Sequence, residues 1–140
     1  MPARELLFSG TLGGGSYVNG EKLQVCKDKP IEQSTVLTSR PNLRPEYWKD
    51  GQRPAFDTAF RSSLAYRLCL VASGRFDAMI TFRPSWEWDI AAGALIISEA
   101  GGKVVDQDGK PLRFNNETPK TNGVLAGTSR SVNDLLAAKV

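Results

Sequence analysis

The 140-residue sequence contains no histidine and only two cysteines. The absence of histidine excludes Ser-His-Asp and Cys-His catalysis and every metal site that uses an imidazole ligand. Cys26 and Cys69 have no CxxC spacing, and Cys69 falls in an apolar helical pattern that is typical of a buried thiol. Cysteines of this kind indicate a reducing, cytoplasmic setting.

Long apolar segments and blocks of one charge are also missing. No apolar run approaches the length of a membrane span, and residues 1–8 lack the form of a signal peptide. The formal net charge is only +3, and no run of Lys and Arg stands out. We therefore expect neither a membrane nor a nucleic-acid polymer as a partner, although a weakly basic protein can favour a small anionic substrate.

Strands and helices alternate in the second half of the chain. We predict strands over residues 35–38, 78–82 and 124–126, a hairpin of 103–105 with 111–114, and helices over 64–73, 89–100 and from Ser129 or Ser131 to about 139. This alternation predicts an α/β layered fold with a mixed, partly parallel sheet. Residues 31–140 would form this domain.

Residues 1–30 are predicted to form short strands at the edge of another sheet. Asn19-Gly20 between apolar-bearing segments predicts a tight hairpin. The glycines at 13–15 precede strand and turn signals rather than a helix, and no phosphate-loop motif is present. We therefore expect these glycines to serve backbone bends.

The most informative stretch is residues 88–102, WDIAAGALIISEAGG. It puts Asp89 at the predicted start of a helix, where unpaired N–H groups and partial positive charge favour an anion or a metal-bound phosphate. An Asp before a helix is often only an N-cap. The small residues at 91–93, however, permit close backbone approach, so we predict that Asp89 is a metal ligand.

Two further acids flank this stretch. Glu99 follows Asp89 by ten residues, roughly 15 Å by helix rise, which is too far for a shared metal. We expect a structural role for Glu99, as the partner of an arginine or of backbone N–H groups. We expect Glu87 at the loop surface.

The same stretch closely resembles the second signature of the inositol monophosphatase superfamily, W-D-x-A-A-G…E-A-G-G. Residues 70–78 and 106–112 extend the resemblance, which covers the chain from about residue 5 to its end and corresponds to the C-terminal half of such an enzyme. The resemblance implies a layered αβαβα fold and a commonly lithium-sensitive phosphomonoesterase. It also implies Mg²⁺ as cofactor, a small phosphorylated substrate and a homodimer.

Site roles follow from the resemblance as well. Asp89 would bind Mg²⁺, and Trp88 would pack behind this acid and border the substrate. Ser62 and Ser63 precede a helix at the family's substrate pocket, and Ser62 stands where the family usually has glycine. Arg83 is either a solvated loop charge or a substrate contact.

The substrate stays open at this point. Inositol-specific members have an acid shortly before the Trp-Asp pair, whereas this chain has Arg83 in that region. The stretch Phe82-x-Pro84 followed by Glu87-Trp88-Asp89 looks more like bacterial 3′(2′),5′-bisphosphate nucleotidases. An arginine in that stretch would suit a second phosphate. Other parts of the stretch favour inositol monophosphate, which we rank slightly ahead.

The family's first signature is missing. Most of its metal ligands come from an upstream Glu and a D-P-[IL]-D-G-[ST] motif, and this sequence contains no Asp-Pro dipeptide. One carboxylate cannot hold a Mg²⁺ cluster against hydration. We therefore expect a partial chain that is inactive alone, and the alternative is a non-catalytic half-domain that acts as a binding or dimerisation module.

Overall fold

The computed structural model describes all residues from 1 to 140 as an α/β protein. The strands are β1 Phe8–Thr11, β2 Gly15–Val18, β3 Glu21–Lys22, β4 Thr35–Leu37, β5 Asp57–Ala59, β6 Ala78–Thr81, β7 Ser85–Trp86, β8 Lys103–Val105, β9 Lys120–Thr121 and β10 Val124–Gly127. The helices are α1 Leu64–Ala72, α2 Glu87–Glu99 and α3 Ser129–Ala138. None of these helices is long and apolar enough to cross a membrane.

The central sheet has the strand order β5-β4-β6-β10-β8. Strand β4 runs parallel to β5 and β6, and β10 runs antiparallel to β6 and β8. The predicted mixed, partly parallel sheet is therefore confirmed. The carboxyl ends of β4, β5 and β6 meet at one edge of the sheet, which is where open α/β sheets bind ligands.

Both faces of this sheet are covered. Met79 of β6 packs in one apolar cluster with α1 and α2, whereas its neighbours Ala78 and Ile80 pack in a second cluster with α3 and residues 31–56. All four residues of β6 are buried, as expected for a strand between two layers. Cys69 of α1 is buried as predicted, and its burial raises the pKa of the thiol to about 11.

The three front strands form a separate antiparallel sheet that packs on α2. The predicted Asn19-Gly20 hairpin joins β2 to β3, and both residues have positive φ, 50° and 83°. Ser16 of β2 is buried and donates a hydrogen bond to the Ile96 carbonyl of α2 at 2.8 Å. The division of the chain at residue 30 stays a prediction.

Three details of the predicted secondary structure are wrong. Residues 111–114 form no strand, because the chain after the turn at 106–110 crosses to the first turn of α2 and leaves the outer edge of β8 unpaired. Helix α2 begins at Glu87, two residues earlier than predicted. Helix α3 is capped by Thr128, whose Oγ1 accepts a hydrogen bond from the Ser131 N–H at 3.1 Å, and not by Ser129 or Ser131.

Candidate functional site

A cavity of about 300 Å³ lies at the carboxyl ends of β4 and β6, beside the start of α1. Its polar lining combines hydroxyl, amide and guanidinium groups from Ser39, Asn42, Ser62, Arg67, Thr81 and Arg83. The structure thus brings together two of the predicted substrate contacts, Ser62 and Arg83. No Asp or Glu borders the cavity, so its chemistry suits an anion.

Ser63 has a different position from its neighbour. It is the N-cap of α1, and its Oγ accepts a hydrogen bond from the Tyr66 N–H at 3.2 Å. A capping hydroxyl of this kind stabilises the helix start, because it pairs one of the free N–H groups there. Ser63 therefore positions the helix that carries Arg67 towards the cavity, and it does not line the cavity itself.

Arg67 is a cavity residue that the sequence analysis missed. Its guanidinium lies over the Phe60 ring, 4.6 Å from the ring centroid, and its Nε donates to the Arg61 carbonyl. Burial lowers the pKa of Arg67, and the nearby Arg83 charge lowers it further, but an arginine stays charged at neutral pH. The only sequence signal was one arginine inside the otherwise apolar pattern of α1.

Asp89 is the third residue of α2 and is exposed. It is not the N-cap, since the helix begins before it. Nowhere in the chain do three acidic or thiol side chains converge in a way that could hold a metal ion. Because Mg²⁺ requires near-octahedral oxygen coordination, these 140 residues alone do not fit a magnesium centre.

Glu87 is buried, so its expected position at the loop surface is wrong. Its carboxylate accepts hydrogen bonds from the Asn115 N–H at 2.7 Å, the Asn116 N–H at 3.1 Å and the Asn116 Nδ2 at 2.6 Å. The bond from the Asn116 side chain, followed by the two backbone bonds, lowers the pKa of Glu87. Glu87 therefore anchors the 115–116 loop to the first turn of α2.

Glu99 has the structural role that the sequence predicts. Its two carboxylate oxygens accept hydrogen bonds from the Gly13 N–H at 2.8 Å and the Gly15 N–H at 2.9 Å. These two backbone bonds lower the pKa of Glu99. Two of the front glycines thus present their N–H groups to an internal carboxylate, and Gly13 and Gly15 have the positive φ, 75° and 82°, that the predicted backbone bends require.

The two tryptophans before Asp89 stack on each other at the surface. The Trp86 and Trp88 rings lie 4.7 Å apart and 10° from parallel, and 66% of Trp88 is exposed. The expectation that Trp88 packs behind the acid is therefore wrong. Trp88 borders another hollow, beside Phe114 and Asn115, and not the cavity that Arg67 lines.

The small residues of α2 have a packing explanation. A Cβ added at Gly93 would lie 2.6 Å from Leu68 Cδ1 and 2.7 Å from Leu68 Cβ, so α1 and α2 approach closely at this point. This contact does not depend on a metal. The binding roles of Asp89, Ser62, Ser63, Arg83 and Trp88 stay predictions.

A known protein family matches the chain over its whole length. A sequence profile of the inositol monophosphatase family matches residues 1–140. Inositol monophosphatase 2 of Rattus norvegicus is 34% identical over an alignment of 117 positions, and the alignment covers 77% of this chain and 40% of the rat protein. The Nus factor SuhB of Pseudomonas aeruginosa is 32% identical over an alignment of 150 positions, which covers 96% of this chain and 51% of SuhB.

A solved structure is similar over the same extent. The crystal structure of SaIMPase-II with bound 2′AMP has a TM-score of 0.82 and 25% sequence identity, and it covers 96% of this chain and 53% of the SaIMPase-II chain. The chain therefore spans about half of the length of the proteins it matches, or less.

Proposed function

Because the chain belongs to the inositol monophosphatase family, we propose that it is the carboxy-terminal part of a Mg²⁺-dependent phosphomonoesterase that acts on a small phosphorylated metabolite. The observation that carries this proposal is the family match over residues 1–140, which includes the Trp-Asp signature at the start of α2. We name inositol monophosphate as the first substrate candidate, which the similarity to the rat inositol monophosphatase supports.

Asp89 is the residue that we assign to the metal. It is exposed in the first turn of α2, where the positive end of the helix dipole and free N–H groups favour phosphate. Its side chain makes no internal ion pair. The other metal ligands would come from residues beyond these 140, because the chain does not contain the family's first signature.

The proposal extends to the oligomeric state, the inhibition and the location of the whole enzyme. We expect a homodimer that lithium inhibits, as the family resemblance implies. We expect a cytoplasmic location, which the two free thiols at Cys26 and Cys69 support because a reducing compartment preserves them.

A bisphosphate nucleotidase is the second candidate. Arg83 borders the basic cavity at the edge of the sheet, and an arginine recognises phosphate through paired, charge-assisted hydrogen bonds. The similar SaIMPase-II has been solved with 2′AMP. A non-catalytic half-domain that binds a partner or dimerises is the candidate from another class. It is favoured because Asp89 is the one acid of the chain that we can assign to a metal.

The test is phosphate release with Mg²⁺ from myo-inositol 1-phosphate and from adenosine 3′,5′-bisphosphate. It compares the chain alone with the chain fused to the amino-terminal half of a relative that carries the Asp-Pro-x-Asp-Gly motif. We expect release by the fusion only, and we expect Asp89→Asn to reduce it roughly 100-fold or more, because loss of a metal ligand removes transition-state stabilisation.

The matched control is Asp57→Asn, which removes an equal charge at an exposed position of β5. It should leave the rate unchanged. A folded fusion that releases phosphate from neither substrate would contradict the enzyme proposal and support the binding module.

A further inference from the structure

Exposed aromatic side chains lie together at the start of α2. Trp86 and Trp88 stack on each other, and the Lys120 ammonium lies 4.2 Å from the centroid of the Trp86 ring. Trp86 thus has two partners, whereas Trp88 has one and is 66% exposed. A single exposed apolar side chain needs no explanation, but a group of them at one place is typical of a binding surface.

The hollow beside Trp88, which we call the aromatic hollow, has a volume of about 430 Å³. Phe114 and Pro119 add to its apolar lining, and Asn115 and Asn116 border it as well. The Asn115 side chain is exposed and makes no hydrogen bond within the chain. Aromatic rings next to amides suit a planar heteroaromatic ring, because such a ring stacks on an indole and pairs its polar edge with an amide.

A second hollow, of about 610 Å³, adjoins the first, and we call it the cationic hollow. Asn116 borders both, and the cationic hollow is also bordered by Lys110, Arg113 and Lys120. None of these three cations forms an ion pair within the chain. Cations without an internal partner favour an anion at this place.

Two acids border the cationic hollow, and they do not cancel its charge. The Asp106 Oδ1 accepts hydrogen bonds from the Asp108 N–H at 2.9 Å and the Lys110 N–H at 2.8 Å, so the backbone of its own turn engages it. Glu117 is exposed and forms no ion pair. Three cations therefore outweigh the two acids, and the remaining positive charge matches a phosphate group.

Internal contacts fix both hollows before a ligand arrives. The Glu87 carboxylate holds Asn115 and Asn116 through three hydrogen bonds of 2.6 to 3.1 Å, and the Glu87 N–H donates to the Pro119 carbonyl at 3.0 Å. Strand β7 pairs with β9, which places Trp86 opposite Lys120. A site that is formed in advance loses less conformational entropy when it binds a ligand.

We propose that the aromatic hollow and the cationic hollow together bind a small anion that carries a planar heteroaromatic ring, namely a free nucleotide. The ring stacks on Trp88, and the phosphate group binds Arg113 and Lys120. Neither hollow is bordered by Asp89 or Arg67. The site therefore goes beyond the proposed phosphatase function and does not depend on it.

The first experiment needs no turnover. The 140-residue chain is titrated with AMP in metal-free buffer, and binding is followed by the indole N–H resonances of its three tryptophans. We expect saturable shifts for Trp86 and Trp88 and none for Trp48, which is buried and donates its indole N–H to the Asn42 carbonyl. Absence of a saturable Trp88 shift would overturn the site.

Two partial ligands test whether the ring and the anion act together. Adenosine lacks the phosphate and ribose 5-phosphate lacks the ring, so each should bind roughly 10-fold more weakly than AMP or worse. If either partial ligand binds as tightly as AMP, the assignment of the site to a ring-bearing anion is overturned.

Variants then locate the ligand. Trp88→Ala should weaken AMP binding roughly 10-fold, because the stacking surface is lost, and Arg113→Gln roughly 5-fold, because a charge-assisted hydrogen bond is lost. The matched controls are Phe60→Ala, which removes a 57% exposed aromatic ring from the cavity beside α1, and Arg75→Gln, which removes an exposed charge after α1. Both controls should change the affinity less than about twofold, because distant sites act independently. An unchanged Trp48 resonance shows that each variant is folded, and equal losses in the variants and the controls overturn the location.

A free nucleotide and the terminal nucleotide of a single strand present the same ring and phosphate. Parallel titrations with AMP and with tetraadenylate distinguish these two sources. We expect tetraadenylate to bind within about twofold of AMP, because the two hollows hold one ring and one anionic group. Binding of tetraadenylate that is roughly 10-fold tighter or more would overturn the assignment to a free nucleotide, because it would show that further phosphates contact the protein.

Discussion

Individual carboxylates of this chain fix loops to helix α2. Glu99 near the end of α2 binds the backbone of the front glycines, and Glu87 at its start binds Asn115 and Asn116. Both acids thereby join segments that lie far apart in sequence. Asp89 is the contrasting case, because it sits between them on the same helix and is exposed.

Replacement of Glu99 by Gln should destabilise the protein in a pH-dependent manner. The bonds from Gly13 and Gly15 lower the pKa of Glu99 in the folded state. The stabilisation by its charge is therefore complete above the pKa of an unfolded Glu, about 4.3, and is lost as the pH falls through the lower folded value. Thermal melts of Glu99→Gln and the unmodified chain should differ clearly at pH 7 and converge below pH 4.

The control for this prediction is Glu117→Gln, because Glu117 is exposed and forms no ion pair. Its melting temperature should follow that of the unmodified chain at every pH. A Glu99→Gln deficit that stays constant from pH 7 to pH 3 would show that the glycine contacts do not depend on the charge.

The sequence predicted the role of Glu99 correctly and the position of Glu87 wrongly. Glu99 stands near a helix C-terminus, where the dipole disfavours an acid, so a specific partner was expected and the backbone N–H alternative is confirmed. The burial of Glu87 depends on residues 28 and 29 positions further along the chain. No local pattern carries that information. Arg67 stands out locally as the one charged residue of α1, but the cavity that it borders combines several distant segments.

Among the elements, α1 and α2 depend on one small residue for their close contact. Gly93 faces Leu68, which is completely buried. A Cβ at this position would meet both the Cβ and a methyl group of Leu68, so rotation of the leucine side chain alone cannot relieve the clash. The helices would have to move apart.

Gly93→Ala should therefore destabilise the fold despite the better helix propensity of alanine. Overpacking costs about 1–3 kcal/mol, and the gain in propensity offsets up to about 1 kcal/mol of that. Leu68→Ala alone should cost about 2–5 kcal/mol, because it leaves a cavity. Urea unfolding of the two single variants and the double variant forms the test.

The double variant provides the decisive comparison. Leu68→Ala should cost less in the Gly93→Ala background, with a coupling free energy of about 0.5–3 kcal/mol, because the added methyl group then fills part of the space. Additive effects would contradict direct contact between these two positions.

The elements themselves were largely predictable. Strands β4, β6, β8 and β10 and all three helices lie within a few residues of their predicted positions, because apolar patterns and turn residues mark them. The missed strands β5, β7 and β9 are Asp-Thr-Ala, Ser-Trp and Lys-Thr, which contain no apolar run, unlike the equally short β4 and β8. The strand predicted at 111–114 is absent, because the turn at 106–110 was interpreted as a hairpin turn. The chain after that turn goes to α2, and β8 pairs with β10.

In the whole molecule, the parts of the proposed phosphatase site are present in unequal measure. The sheet edge has a basic cavity with hydroxyl groups, whereas Asp89 is the one residue that we assign to a metal, and no three acidic or thiol side chains converge. The front sheet also leaves Leu7 and Leu12 exposed, at 73% and 84%. The two leucines lie at opposite ends of β1, roughly 16 Å apart by strand rise, so each is a single exposed apolar side chain and not a patch.

The final prediction concerns metal binding by the whole chain. Ligand binding raises the melting temperature in proportion to the logarithm of ligand concentration over Kd. Mg²⁺ exchanges its water reluctantly, so one exposed carboxylate provides almost no such stabilisation. The 140-residue chain should therefore melt at the same temperature in millimolar Mg²⁺ and in EDTA, whereas the fusion that restores the first signature should melt higher in Mg²⁺, and Asp89→Asn should remove that increase. A Mg²⁺-dependent increase in the chain alone, abolished by Asp89→Asn and retained in Asp57→Asn, would mean that these residues assemble a metal centre without a second half.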